Sequence, residues 1–289
     1  MKDVKLIALD MDGTLLMSDH YTVPQLNIDA IRKAHAAGIT VTICTGRMIE
    51  DANDFCTRLG LPCMLIAGDG VRAADGLLPE ARVFYRKSFE AKDVHALLDY
   101  LLPTGLMINV FEDGMVSTRF GADREVYHLV KRGLIKDVYG EENVRAAADR
   151  EVIKIFIVAT ESEEAEMQTV KEELVRRFPH LQVTSSGYLN IEVVPQGAGK
   201  GAALETMAQY LGIQRENVMA IGDAQNDLSM LEYAAHSVAM GNADEEIKRV
   251  CRYETEDNDA CGVGQMIERV LKARGCDHGE SCCHPLQRV

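Results

Sequence analysis

Three short apolar runs, at residues 6–9, 39–44 and 64–67, stop at Asp10, at Thr45-Gly46-Arg47 and at Gly68-Asp69-Gly70. A run of four to six apolar or β-branched residues that halts at an acid or a glycine has the pattern of a strand buried on both faces, its carboxyl end opening into a loop. Between the first two, Leu26, Ala30, Ile31 and Ala34 recur at helical spacing until Gly38. Thr22 is the expected N-cap of that helix, with Pro24 in its first turn and Gln25 as capping-box partner. The order is β-α-β-α-β, which requires a parallel sheet with helical crossovers. In open sheets of this kind ligands sit beyond the carboxyl ends of the strands, so chemistry is expected at those acids and glycines.

The rhythm breaks near Val83. Residues 106–111 and 115–118 read as a hairpin around Glu112-Asp113-Gly114, a turn of the Asp-Gly kind. Helical stretches at 91–102 and 163–178 and strands at 152–158 and 181–184 complete an α+β insertion. From residue 190 the alternation of strand and helix is expected to resume: strand 190–194, helix 201–211, strand 218–221, helix 228–234 and strand 237–240. The expected organisation is a discontinuous core, 1–82 with 189–275, an inserted cap domain over 83–188, and a disordered tail, 276–289.

Composition bounds the partners. The chain of 289 residues carries 47% hydrophobic and 26% charged residues, and none of its apolar runs approaches the ~20 residues of a membrane span. Its first residues lack the long hydrophobic region of a secretory leader, so a cytoplasmic location and no membrane partner are expected. A formal net charge of -14 without a basic block argues against tracking a nucleic-acid backbone. The expected partner is a small phosphorylated metabolite and the expected state a monomer or small homo-oligomer. Cys44, Cys56, Cys63, Cys251, Cys261, Cys276, Cys282 and Cys283 follow no disulfide framework and are expected as free thiols. The Cys276, Cys282, Cys283 and His284 cluster has soft ligand types but matches no structural zinc spacing.

Four segments could carry chemistry. Asp10-Met11-Asp12-Gly13-Thr14 sets two carboxylates one residue apart on a chain that turns at a glycine. One can attack phosphorus while the other protonates the leaving oxygen and later deprotonates water. In Gly222-Asp223-Ala224-Gln225-Asn226-Asp227, a second acidic cluster follows an apolar strand, and Asp10 with Asp223 could supply oxygens to a hard cation such as magnesium. Thr45-Gly46-Arg47 offers a hydroxyl and bare amides to phosphate oxygens, and Lys200 opens a helix between glycines, where ammonium and helix amides converge on an anion. Each segment alone reads as an ordinary polar loop; their order at successive strand ends is what singles them out.

Together these segments resemble the four motifs of the haloacid dehalogenase superfamily, specifically its Cof-type phosphatases with the large subclass IIB cap. Ile191-Glu192-Val193-Val194-Pro195, Met240-Gly241-Asn242-Ala243 and Asp259-Ala260-Cys261-Gly262-Val263 resemble that subgroup as well. The resemblance implies a Rossmann-like α/β core with an inserted α+β cap, Asp10 as nucleophile, Asp12 as general acid and base, and Lys200 as the catalytic cation. It implies Mg2+ held by Asp10, the Asp12 carbonyl and Asp223 with Asp227 in support, and a phosphoryl group held at Met11, Thr45, Gly46, Asn226 and Lys200. One departure is Asp69, where the subgroup commonly has asparagine in Asn-Gly-Ala. Asn109, Arg119, Arg124 and His128 in the insertion read as surface polar residues rather than substrate contacts. A phosphosugar mutase, which returns the phosphoryl group to sugar, would carry the same motifs; the third reading is a module that binds phosphometabolites without turnover, and the presence of both Asp10 and Asp12 counts against it.

Overall fold

The computed structural model describes residues 1–112, 114–119, 137–187 and 189–275. The chain forms two compact units, Met1–Tyr85 with the chain from Gly199 onward, and Arg86–Ala198. The first half of the first unit runs β1 (Leu6–Leu9), α1 (Gln25–Ala36), β2 (Thr40–Cys44), α2 (Ile49–Leu59), β3 (Met64–Ala67), β4 (Arg72–Ala74) and β5 (Val83–Arg86). The second unit runs α3 (Ala91–Leu101), β6 (Met107–Phe111), β7 (Met115–Ser117), β8 (Asp137–Tyr139), α4 (Glu141–Ala147), β9 (Lys154–Val158), α5 (Glu164–Arg177), β10 (Gln182–Thr184) and β11 (Asn190–Val194). The first unit then resumes with α6 (Lys200–Tyr210), β12 (Val218–Gly222), α7 (Leu228–Tyr233), β13 (His236–Ala239), α8 (Glu245–Val250), β14 (Tyr253–Glu254) and α9 (Gly262–Ala273).

The sheet of the first unit has the order β14-β13-β12-β1-β2-β3-β4-β5. From β14 to β3 neighbouring strands are parallel, and β4 turns back antiparallel onto β3. All four residues of β1 are fully buried, as its uninterrupted apolar run requires. Because the chain leaves β1 toward β2 on one side and returns to β12 on the other, the carboxyl ends of β1 and β12 flank the point where strand order reverses. The expected helix over 22–38 forms as Gln25–Ala36, but without the Thr22 cap. Thr22 Oγ1 donates instead to Asp19 Oδ2 at 2.5 Å, Gln25 Nε2 donates to Asp29 Oδ1, and Pro24 takes the cap position.

The expected return to the core at residue 189 is corrected by the structure. β11 pairs antiparallel with β9 and with β10, inside the second unit's sheet of order β10-β11-β9-β6-β7-β8. The reason lies in its own alternation: Ile191 and Val193 join an apolar cluster with Ile108, Val110, Ile155 and Ile157, while Glu192 on the opposite face lies 3.5 Å from buried Lys154. The first boundary also shifts, because residues 83–85 extend the first unit's sheet in β5. Asn109, expected at the surface, is fully buried and its Nδ2 donates to the Phe156 carbonyl oxygen at 3.1 Å. Arg119 is exposed and bonded to Glu163. Arg124, His128 and the cysteine-bearing tail lie outside the described residues. Among the described residues, Cys44, Cys56, Cys63, Cys251 and Cys261 are free thiols, and no helix is long and apolar enough to cross a membrane.

Candidate active site

Asp10 leaves β1 tied to its neighbour, its N–H donating to the Ile221 carbonyl oxygen at 3.1 Å. The chain then folds back on itself, with Leu15 N–H donating to the Asp10 carbonyl and Leu16 N–H to the Met11 carbonyl. The reversal turns at Gly13, whose φ is +81°. A side chain there would be strained, and its Cβ would also overlap the Asp223 carboxylate, so glycine is required on both counts. Thr14 Oγ1 donates to Asp223 Oδ1 at 2.7 Å and fixes that carboxylate against the turn. Behind the turn, Asn242 Nδ2 donates to the Gly13 carbonyl at 2.8 Å and Asn258 Nδ2 to the Leu16 carbonyl at 2.9 Å. Asn242 lies in one of the stretches that resemble the Cof-type subgroup and Asn258 in none, and in neither case does the asparagine's position tell whose carbonyl it will reach.

Lys200, the first residue of α6, is fully buried, and its Nζ donates to Asp10 Oδ1 at 2.7 Å and to Asp227 Oδ1 at 2.6 Å. Burial opposes its charge, but Asp10, Asp227 and Asp69 together outweigh that and hold the ammonium firmly protonated. The reverse holds for the acids. Burial first, then the charge of Asp227, pushes Asp10 well above the usual carboxylate range, against the pull of Lys200. Asp223 is pushed up to about 7, by burial first and then by Asp227, with Thr14 and Lys200 opposing.

Asp12 is handled differently. Arg47 grips it with two bonds, Nε to Oδ2 at 2.8 Å and Nη2 to Oδ1 at 2.6 Å, and His20 Nδ1 lies 3.5 Å from Oδ1. Burial acts to raise this carboxyl, but the Arg47 charge and hydrogen bonds, with His20, hold it well below the usual range. In the sequence Arg47 only closes the Thr45-Gly46-Arg47 loop motif, and nothing there announces a guanidinium fork onto Asp12.

Thr45 is buried, its Oγ1 accepting from Arg47 N–H at 3.1 Å. Asn226, also buried, donates from Nδ2 to Asp69 Oδ1 at 3.0 Å, and a Cβ on Gly46 would lie 3.0 Å from that same oxygen. Thus Asp10, Asp227 and Lys200 are bonded directly, Asp223 joins them through the turn, and Asn226 and Gly46 meet at Asp69. Met11 follows Asp10 with its side chain in the core, so that only its backbone can serve a ligand.

Asp10, Asp223 and Asp227 each present a carboxylate oxygen, all within 4.8 Å of one another. Hard oxygen donors in this arrangement suit magnesium, which takes one or two carboxylates and keeps waters or phosphate oxygens. Both oxygens of Asp227 are already engaged, Oδ1 by Lys200 and Oδ2 by the N–H groups of Asp223 and Ala224. That leaves Asp10 and Asp223 as the pair best placed to hold an ion, with Asp227 behind them. The Asp12 carboxylate lies outside this group, turned to Arg47.

A parallel α/β sheet with acids and a buried lysine gathered at its strand-order reversal is the frame of the haloacid dehalogenase-like hydrolases, and the model of that family matches residues 7–267. The chain belongs to this family. It is 31% identical to a 5-amino-6-(5-phospho-D-ribitylamino)uracil phosphatase of Bacillus subtilis, over 94% of this chain and 99% of that protein. It is 30% identical to an HMP-PP phosphatase of Yersinia pseudotuberculosis, over 85% of this chain and 86% of that protein. Among solved structures, a haloacid dehalogenase-like hydrolase from B. subtilis superposes with a TM-score of 0.80 at 30% identity, covering 93% of this chain and all of that one.

Proposed function

We propose that this chain is a Mg2+-dependent phosphatase that hydrolyses a small phosphorylated metabolite through a covalent aspartyl-phosphate on Asp10. The observation that carries the reading is Lys200, wholly buried between Asp10 and Asp227 beside an acidic group able to hold a hard cation. A buried ammonium joined to a candidate nucleophile supplies charge where a phosphoryl group would arrive, without solvent to screen it. The two relatives named above are phosphatases of small molecules, which supports a metabolite rather than a macromolecule as substrate.

In the first half-reaction a carboxylate oxygen of Asp10 bonds to phosphorus, the bond from phosphorus to the leaving oxygen breaks, and the Asp12 carboxyl gives that oxygen its proton. In the second, a water oxygen bonds to phosphorus, Asp12 takes the water's proton, and the bond between phosphorus and Asp10 breaks, freeing inorganic phosphate. Lys200 orients Asp10, while Thr45, Asn226 and the backbone N–H groups of Met11 and Gly46 donate to phosphoryl oxygens. Asp10, Asp223 and the Asp12 carbonyl would hold Mg2+, which neutralises charge on those oxygens when bound. Because Arg47 holds Asp12 deprotonated, the acid role requires this fork to loosen as the leaving oxygen arrives.

The test is turnover of p-nitrophenyl phosphate with Mg2+, followed as free phosphate. Activity abolished by Asp10→Ala and by chelation is expected. No turnover, or turnover undiminished in the variant, defeats the reading. Release of phosphate to water rather than its return to sugar separates hydrolysis from mutase chemistry.

A further inference from the structure

Asp69 stands where the Cof-type pattern has asparagine, and the mechanism above gives it no part. Its position is nonetheless tightly specified. The residue is buried with φ +57°, a left-handed conformation that few non-glycine residues adopt, and its N–H donates to the Thr45 carbonyl oxygen at 3.1 Å. The next residue, Gly70, runs so close to the start of α6 that a Cβ would overlap the Gly199 carbonyl. On the other side the carboxylate lies over Gly46, where a Cβ would come within 3.0 Å of Oδ1 and 3.2 Å of Oδ2. The carboxylate is therefore lodged between two groups proposed to hold the phosphoryl dianion, Gly46 and Asn226, and its charge acts on a third, Lys200.

A negative charge in that place repels the substrate, which calls for a compensating role. Its hydrogen bond to Asn226 supplies one. An ionised carboxylate only accepts, so the amide of Asn226 must turn its nitrogen toward Asp69, as it does at 3.0 Å. Asparagine at position 69 could pair with either end of that amide, because each amide carries both a donor and an acceptor. We propose that Asp69 is a positioning residue that holds one N–H of the Asn226 amide, so that the second N–H on the same nitrogen, and not the carbonyl, is what Asn226 offers the phosphoryl oxygens. The role rests on the phosphatase reading. A reversed amide would set two acceptors against each other, so the fixed orientation offsets the repulsion that the extra charge introduces.

The experiment is a double-mutant cycle on p-nitrophenyl phosphate with Mg2+, kcat and KM measured separately for wild type, Asp69→Ala, Asn226→Ala and the double variant. Each single variant is expected to lose about tenfold in kcat/KM, the loss of one hydrogen bond to a charged group. The double variant is expected to lose no more than Asn226→Ala alone, because Asp69 acts through Asn226. Asp69→Asn keeps the volume and an acceptor and is expected to lose roughly twofold, since either amide orientation then satisfies the pair. Its own cycle with Asn226→Ala replaces the first if Asp69→Ala does not fold by thermal denaturation. Additive losses in either cycle, or an unaffected Asp69→Ala, overturn this inference while leaving an active phosphatase. A wild type without turnover overturns both readings together.

Discussion

Replacing Asp223 by asparagine separates stability from function at this site. In the metal-free protein Asp223 is pushed up to about 7 from an ordinary 3.8, by burial and then by the charge of Asp227. A carboxylate whose folded value is raised binds more protons folded than unfolded between those two values, so its contribution falls as pH rises from 3.8 to about 7 and stays lost above. A shift of that size is a penalty of about 4 kcal/mol at pH 8 as an upper bound, and partial exposure of the side chain reduces it to roughly 2 kcal/mol. Asparagine keeps the acceptor for Thr14 Oγ1, which donates to Asp223 Oδ1 at 2.7 Å, and removes the charge. Asp223→Asn should therefore be more stable than wild type in urea unfolding with chelator at pH 8, by about 2 kcal/mol, and by much less at pH 5. Adding Mg2+ should stabilise wild type and not the variant, and phosphatase activity should be lost. A variant less stable than wild type at pH 8 without metal refutes the reasoning, because the carboxylate would then be contributing something other than unrelieved repulsion.

Gly13→Ala combines a φ of +81° with overlap onto the Asp223 carboxylate, so it should cost about 1–3 kcal/mol in unfolding and weaken the stabilisation given by Mg2+. Lys200→Met leaves Asp10 and Asp227 buried without their shared cation. It should destabilise the metal-free protein by about 3–5 kcal/mol near neutral pH, with partial recovery on lowering the pH to 5, since burial and the charge of Asp227 already favour a proton on Asp10. Both effects are read from urea unfolding at the two pH values. Arg47→Gln removes the fork that holds Asp12 down, so burial should then carry its carboxyl upward. The limb of the pH profile of kcat/KM that reports Asp12 should move to higher pH, and an unmoved limb would mean that Arg47 does not set its proton affinity.

The core strands were legible because parallel strands buried on both faces must be apolar almost without interruption, and Leu6–Leu9 and Met64–Ala67 are. β11 lies in the second unit's sheet and not in the core sheet expected for it, and its alternation of Asn190, Ile191, Glu192 and Val193 already has the period of a half-buried antiparallel strand. The motif residues were legible for another reason: acids, glycine and lysine at strand ends declare their own chemistry, and topology brings strand ends together. What the sequence could not state is which charge answers which. Five carboxylates, Asp10, Asp12, Asp69, Asp223 and Asp227, share the neighbourhood of two cations, Lys200 and Arg47, and the outcomes are opposite. Arg47 forks onto Asp12 and holds it deprotonated, whereas Lys200 is divided between Asp10 and Asp227 and leaves Asp223 crowded. Two aspartates a single residue apart in the chain thus stand on opposite sides of their ordinary proton affinity. The cause is side-chain direction at the end of a strand, where the chain turns at Gly13, and no periodicity in the sequence encodes that direction.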